Sequence, residues 1–217
     1  MTANNLANAS TSGYREQRVS FSEVLADDAA PTRHLVAVGR PMVSRERGAI
    51  EQTNRALDLS IQEEGYFVAE QQGNRVLLRS ASTEIDADGN LRDAAGRRLA
   101  FAGGDGFIDP ARPITFGDRG QVMQDGREVA RLLVVNVADP RALAPTGAGA
   151  YSVTSASGQA FPVSASVVSG GLERSNVNPV SNMVRMVALE RDFQSITRVI
   201  HAYREADEGI ISAAGDS

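Results

Sequence analysis

The stretch Asp86-Ala87-Asp88-Gly89-Asn90 comes nearest to a ligand set, because closely spaced carboxylates followed by a glycine resemble the start of a calcium loop. In such a loop the glycine stands at about the sixth position and a bidentate glutamate at about the twelfth; here the glycine comes too early and Arg97 occupies the twelfth. The segment therefore reads as a β-turn. Gly103-Gly104-Asp105-Gly106 lacks the spacing of a phosphate-binding loop and no helical pattern follows it, so it reads as a loop. The two histidines, His34 and His201, stand in neither a nucleophile motif nor a metal-ligand spacing. Glu63 and Glu64 would face opposite ways on a strand and so cannot share one proton transfer. No catalytic, cofactor or metal site assembles from these residues. A hydrolase on this chain would have to use Glu63, Glu64 or Asp86, and that reading is disfavoured.

The remaining chemistry is association. From Met186 apolar residues recur at alternating steps of three and four, at Leu189, Phe193, Ile196, Ile200 and Tyr203, and then Ile210 after a polar break at Asp207. Asn178 is placed to cap this helix, Pro179 suits its first position, and Gly209 weakens its end. From Asn178 to Ile210 it would run roughly 48 Å, with Glu190, Arg191, Arg198, Arg204, Glu205 and Glu208 on its outer face. Alone in water such a helix is only marginally stable. Burial at about 1.5 kcal/mol for each of the six residues from Met186 to Tyr203 gives roughly 9 kcal/mol before ordering costs, so the helix needs a partner. The stripe is narrow, which fits a coiled-coil seam better than a face docked on the chain's own core. His201 falls at the edge of that seam.

The chain has 217 residues, 42% of them hydrophobic, enough for one substantial domain and an extension. Its net charge of −5 argues against a nucleic-acid or anionic-membrane partner. Every basic residue is arginine, and there is no cysteine, which excludes disulfides, thiolate chemistry and cysteine-based zinc sites. No Sec-type signal or membrane-spanning run is present, so no membrane insertion is expected.

Along the chain, residues 1–13 read as a short helical end that dissolves into Asn, Ser and Thr before Gly13. Val19, Phe21, Val24 and Leu25 form an apolar cluster, and Asp27-Asp28-Ala29-Ala30-Pro31 reads as a linker. From Leu35 to about Val168, period-two alternation with frequent glycine argues for an antiparallel β domain. Its strands are expected at Leu57 to Ile61, Gly65 to Val68, Val76 to Leu78 and within Arg131 to Val137. Asp88-Gly89 and Asp125-Gly126 are hairpin turns, and Gly147 to Gly149 and Ser164 to Gly171 read as loop or linker. The expected fold is mainly β with terminal α-helices: an antiparallel β domain inserted between N- and C-terminal helical segments that pair as a coiled coil. The expected divisions are 1–34 for the N-terminal end and linker, 35–170 for the β-rich outer domain and 171–217 for the C-terminal helix.

Ala3 to Tyr14, with the run Asn4-Asn5-Leu6-Ala7-Asn8-Ala9-Ser10-Thr11-Ser12-Gly13, closely resembles the N-terminal signature of the flagellar rod and hook proteins. The likeness continues through Leu57 to Phe67, Ile85 to Leu91 and Leu172 to Asn178. Within that family the variant Ala9 to Arg15 and the length are most similar to the proximal rod protein, with the distal rod protein as the alternative. The resemblance implies a further helix before the Asn4-Asn5-Leu6 motif as most of the seam partner, so the expectation is either a truncated or misassigned start, N-terminally short for the family, or an unusual subunit. Ser80 to Glu84 departs from the family, which has a glycine-containing turn and an aromatic there.

The resemblance implies a structural subunit of the basal-body rod, in the periplasm, that transmits torque and does no catalysis. It implies export through the flagellar type III apparatus without a cleaved signal peptide, and assembly with like subunits and other axial proteins. The expected assembly residues are Leu6, Met186, Leu189, Phe193, Ile196, Ile200 and Tyr203, with no cofactor. The alternative from another class is a soluble β-domain binding protein that dimerises through its C-terminal helix.

Overall fold

The computed structural model describes residues 1–25, 34–104 and 106–215; of residues 20–25, 34–38 and 206–215 only the backbone is described. The linker expected at Asp27 to Pro31 lies outside the described residues, as do the side chains of Phe21, Val24, Leu25, His34 and Ile210.

A short helix α1 (Thr2–Ala7) leads into a long hairpin of β1 (Gln17–Leu25) and β2 (His34–Val43). Then follow β3 (Ile50–Gln52), β4 (Asp58–Ile61), β5 (Tyr66–Gln71), β6 (Asn74–Leu78), β7 (Ser80–Ile85), β8 (Leu91–Asp93) and β9 (Arg98–Leu99). A three-stranded meander of β10 (Thr115–Phe116), β11 (Gln121–Gln124) and β12 (Arg127–Arg131) comes next. The body closes with β13 (Val134–Asn136), β14 (Ala144–Gly147), β15 (Ala150–Ser152), β16 (Phe161–Pro162), β17 (Val167–Ser169) and β18 (Gly171–Glu173), and α2 (Pro179–Gly215) leaves it.

The main sheet has eleven strands in the order β14-β15-β6-β5-β9-β8-β7-β4-β17, with β13 and β16 branching from β5. Its pairings are antiparallel, as expected from strands joined by short turns. Period-two alternation divides the apolar side chains between two layers. Phe67, Ala69, Val76 and Leu78 join a core with Leu59, Ile61, Leu91, Leu99 and Val122, while Tyr66, Val68 and Leu77 join a second with Val43, Val135, Val137 and Tyr151.

The turns follow their chemistry. Asp125 and Gly126 both have positive φ, 49° and 76°, the type I′ geometry that matches strand twist between β11 and β12. Asp86 folds its own turn between β7 and β8: its Oδ1 accepts from the backbone N–H of Asp88 at 3.0 Å and of Asn90 at 2.8 Å. Ser80 to Glu84 is an ordinary strand, paired to β4 on one side and β8 on the other.

Three expectations are corrected. First, the terminal helices do not pair as a coiled coil. α1 has six residues and rests only beside the root of α2, too short for a heptad seam. Its asparagines face the β body instead: Asn5 Nδ2 donates to the Gln17 carbonyl at 2.9 Å and its Oδ1 accepts from Gln17 N–H at 2.9 Å and Tyr14 O–H at 3.0 Å. Second, Ser164 to Gly171 is not a loop throughout. Val167, Val168 and Ser169 pair with Ile61, Ser60 and Leu59, and β18 pairs with β3. Small residues are tolerated at a sheet edge once the neighbouring strand offers its hydrogen-bonding groups, and Gly170, at φ +80°, makes the kink between the two strands. Third, the helix expected from Asn178 to Ile210 runs on to Gly215; the glycine at 209 costs about 1 kcal/mol, too little to stop a helix of 37 residues.

Candidate assembly interface

α2 starts where the sequence says it should. Asn178 Oδ1 accepts from the Ser181 backbone N–H at 3.1 Å, and Pro179 takes the first helical position. The residues leading into it are held to the body by a buried charge network. Glu173, on β18, accepts from Arg79 Nε at 2.9 Å and lies 3.6 Å from Arg15. Arg79 is fully buried and also donates to the Ile61 carbonyl at 2.7 Å and to the Gly65 carbonyl. Both guanidinium groups lie near the Tyr66 ring, at 5.9 Å for Arg15 and 5.6 Å for Arg79. The Tyr151 hydroxyl donates to the Gly13 carbonyl at 3.1 Å and accepts from Arg15 N–H at 2.7 Å, and Asn176 Oδ1 accepts from Glu16 N–H at 2.6 Å. Burial pushes the Tyr66 hydroxyl above the usual phenol range and the Tyr151 hydroxyl well above it.

Residues from separate motifs therefore meet at one place: Gly13 and Arg15, Gly65 and Tyr66, and Glu173 and Asn176 together fix the root of α2. Sequence reading missed Arg15, Arg79, Tyr151 and Glu173 as a group. The available signal was a charge at the end of the apolar run Val76-Leu77-Leu78-Arg79.

Beyond the root, α2 is wet. Met186, Leu189, Phe193, Ile196, Ile200 and Tyr203 are all exposed, Phe193 by 70% and Tyr203 by 72%, while Leu6 is half-buried on α1. A second exposed apolar group, Val180, Met183, Val184 and Val187, occupies another side of the first turns. Its i, i+3, i+4, i+7 spacing was readable but precedes the stripe at which the seam was begun. His201 is exposed on the same helix.

The chemistry-bearing residues weighed from sequence do not converge. Glu63 and Glu64 are exposed, with Glu64 paired to Arg45 at 3.2 Å. The Asp86 carboxyl is held low, at about 2, first by the backbone N–H of Asn90 and then by the Arg92 guanidinium. Among the described residues no group of three or more His, Cys, Asp or Glu could hold a metal, and no helix is long and apolar enough to cross a membrane.

The family model described as flagellar basal body rod FlgEFG protein C-terminal matches residues 168–213, from the last sheet strands along α2. The chain is 30% identical to the flagellar basal-body rod protein FlgF of Escherichia coli (strain K12), over 92% of this chain and 85% of that one. It is 28% identical to FlgF of Rhizobium meliloti (strain 1021), over 99% and 90%, and 25% identical to the rod protein FlgG of Bacillus subtilis (strain 168), over 91% and 86%. With its two ends and its β body covered in one alignment, the chain belongs to the flagellar basal-body rod proteins, a family of structural subunits and not of enzymes.

Proposed function

We propose that this rod subunit assembles through the exposed apolar side of α2, which packs against neighbouring subunits while the β body faces outward. The observation that carries the reading is the run Met186, Leu189, Phe193, Ile196, Ile200 and Tyr203, exposed on a helix whose root is locked by buried charges. A helix with that much apolar surface in water gains its stability from a partner. Leu6, beside the helix root, belongs to the same surface. In this reading residues 35–170 form the outer body, 171–217 form the assembly element, and the rigid junction between them lets the shaft carry torque. The subunit reaches the periplasmic rod through the flagellar type III export apparatus, and a chain without cysteine suits passage in an unfolded state.

Because the chain has no cysteine, an introduced one is a clean reporter. Phe193→Cys and Ile200→Cys should cross-link to neighbouring subunits in isolated basal bodies. Cross-linking of Arg127→Cys, on the exposed β12, without any at Phe193 or Ile200, would place the contacts on the body instead.

A further inference from the structure

The charge network at the helix root contains more cations than its carboxylates neutralise. Arg15, Arg45, Arg47 and Arg79 line a cavity of about 30 Å³ together with Tyr66 and Asn136. Of the nearby carboxylates, Glu64 lies in the cavity wall, Asp139 feels the Arg45 charge, and Glu173 stands behind Arg79; for the buried pair Arg15 and Arg79 with Glu173 the balance is +1, two minus one. Glu64 is solvated at the rim, its side chain 65% exposed, so at depth Arg15 and Arg79 share Glu173 alone.

The two buried arginines are unequally served. Arg79 directs its nitrogens to Glu173 and to the carbonyls of Ile61 and Gly65. Arg15 stands 3.6 Å from Glu173, and its buried Nε has no hydrogen-bond partner. A water molecule at that nitrogen would satisfy the N–H but leave the surplus charge, whereas an anion answers both. We propose that this cavity binds one small inorganic anion of the size of chloride, held by Arg15 and steadied by Arg79, with Arg45 and Arg47 at the entrance. A volume of about 30 Å³ suits a small occupant, on the scale of a water molecule. Burial pushes the Arg79 guanidinium down from its ordinary range, and the neighbouring Arg15 charge adds to the fall, as expected where positive charge is crowded. Occupancy would tie the Arg15 segment to the strand that launches α2, so the anion would act on the rigidity of that junction.

The test is thermal unfolding of the full chain in sodium chloride against sodium gluconate at matched ionic strength, with bromide as a crystallographic probe. Above the dissociation constant each tenfold rise in chloride should raise Tm by roughly 3–5 °C, with no such rise in gluconate. Arg15→Met should lose the chloride response whatever its own Tm. Arg45→Gln, an exposed change that leaves the fold intact, should weaken the response, and bromide should give an anomalous peak beside Arg15. Equal Tm in the two salts, an undiminished response in Arg45→Gln, or no bromide peak at the cavity would overturn the proposal in favour of a water.

Discussion

Phe67 and Phe193 carry the same side chain, yet one is 1% exposed inside the sheet and the other 70% exposed on α2. The difference extends to everything around them. In the β body even some of the charges are enclosed, and Arg79, Glu173, Arg97 and Asp93 find partners inside it. Along α2 the large apolar residues from Met183 to Tyr203 meet solvent on more than one side. The body is closed on itself, while the apolar sides of the helix stand uncovered. Stability and assembly should therefore respond to different mutations.

The largest loss should come from Arg79→Met. Removing Arg79 leaves buried Glu173 with only Arg15, 3.6 Å away, and such a break costs about 3–5 kcal/mol, measurable as a lower urea midpoint with unchanged m-value. A smaller loss is expected for Gly149→Ala, where φ is +69° and a Cβ would lie 2.4 Å from the Ser12 carbonyl oxygen. Left-handed strain and the displaced Ser12 loop together should cost about 1–3 kcal/mol in the same assay.

Alkaline pH probes the same closed interior. Burial raises the Tyr151 hydroxyl above its unfolded value, with the Arg15 backbone N–H opposing the shift. Its contribution is thus present in full below about pH 10 and is lost as pH rises through the higher folded value. Ionisation of the buried tyrosines, followed by ultraviolet difference absorbance, should coincide with loss of sheet circular dichroism and not precede it. The smallest change in stability belongs to Phe193→Asp and Ile200→Asp, expected within about 0.5 kcal/mol of the parent because neither side chain is buried in the chain itself.

Local signals in the sequence found most of the body. Alternation marked β4, β5 and β6, Asp125-Gly126 marked its hairpin, and Asn178-Pro179 marked the start of α2. What escaped depends on partners far away in the chain. Arg79 and Glu173 are 94 residues apart, and neither has a local pattern that names the other. β17 and β18 escaped because serine and glycine look like linker until β4 and β3 lie beside them. The expected pairing of terminal helices failed for a related reason: Asn4, Asn5 and Asn8 bond to one another, to Tyr14 and to Gln17, so α1 serves as an anchor. The exposed stripe on α2 was legible residue by residue, although Val180 to Val187 extends it to a second side of the helix.

The division between a closed body and an open helix is tested most directly by Phe193→Asp expressed in place of the parent chain, with mass spectrometry of purified basal bodies. We expect the variant to fold, to be absent from the basal bodies and to leave cells unable to swim. Incorporation of the variant at parental levels with normal swimming would contradict an assembly role for this face of α2.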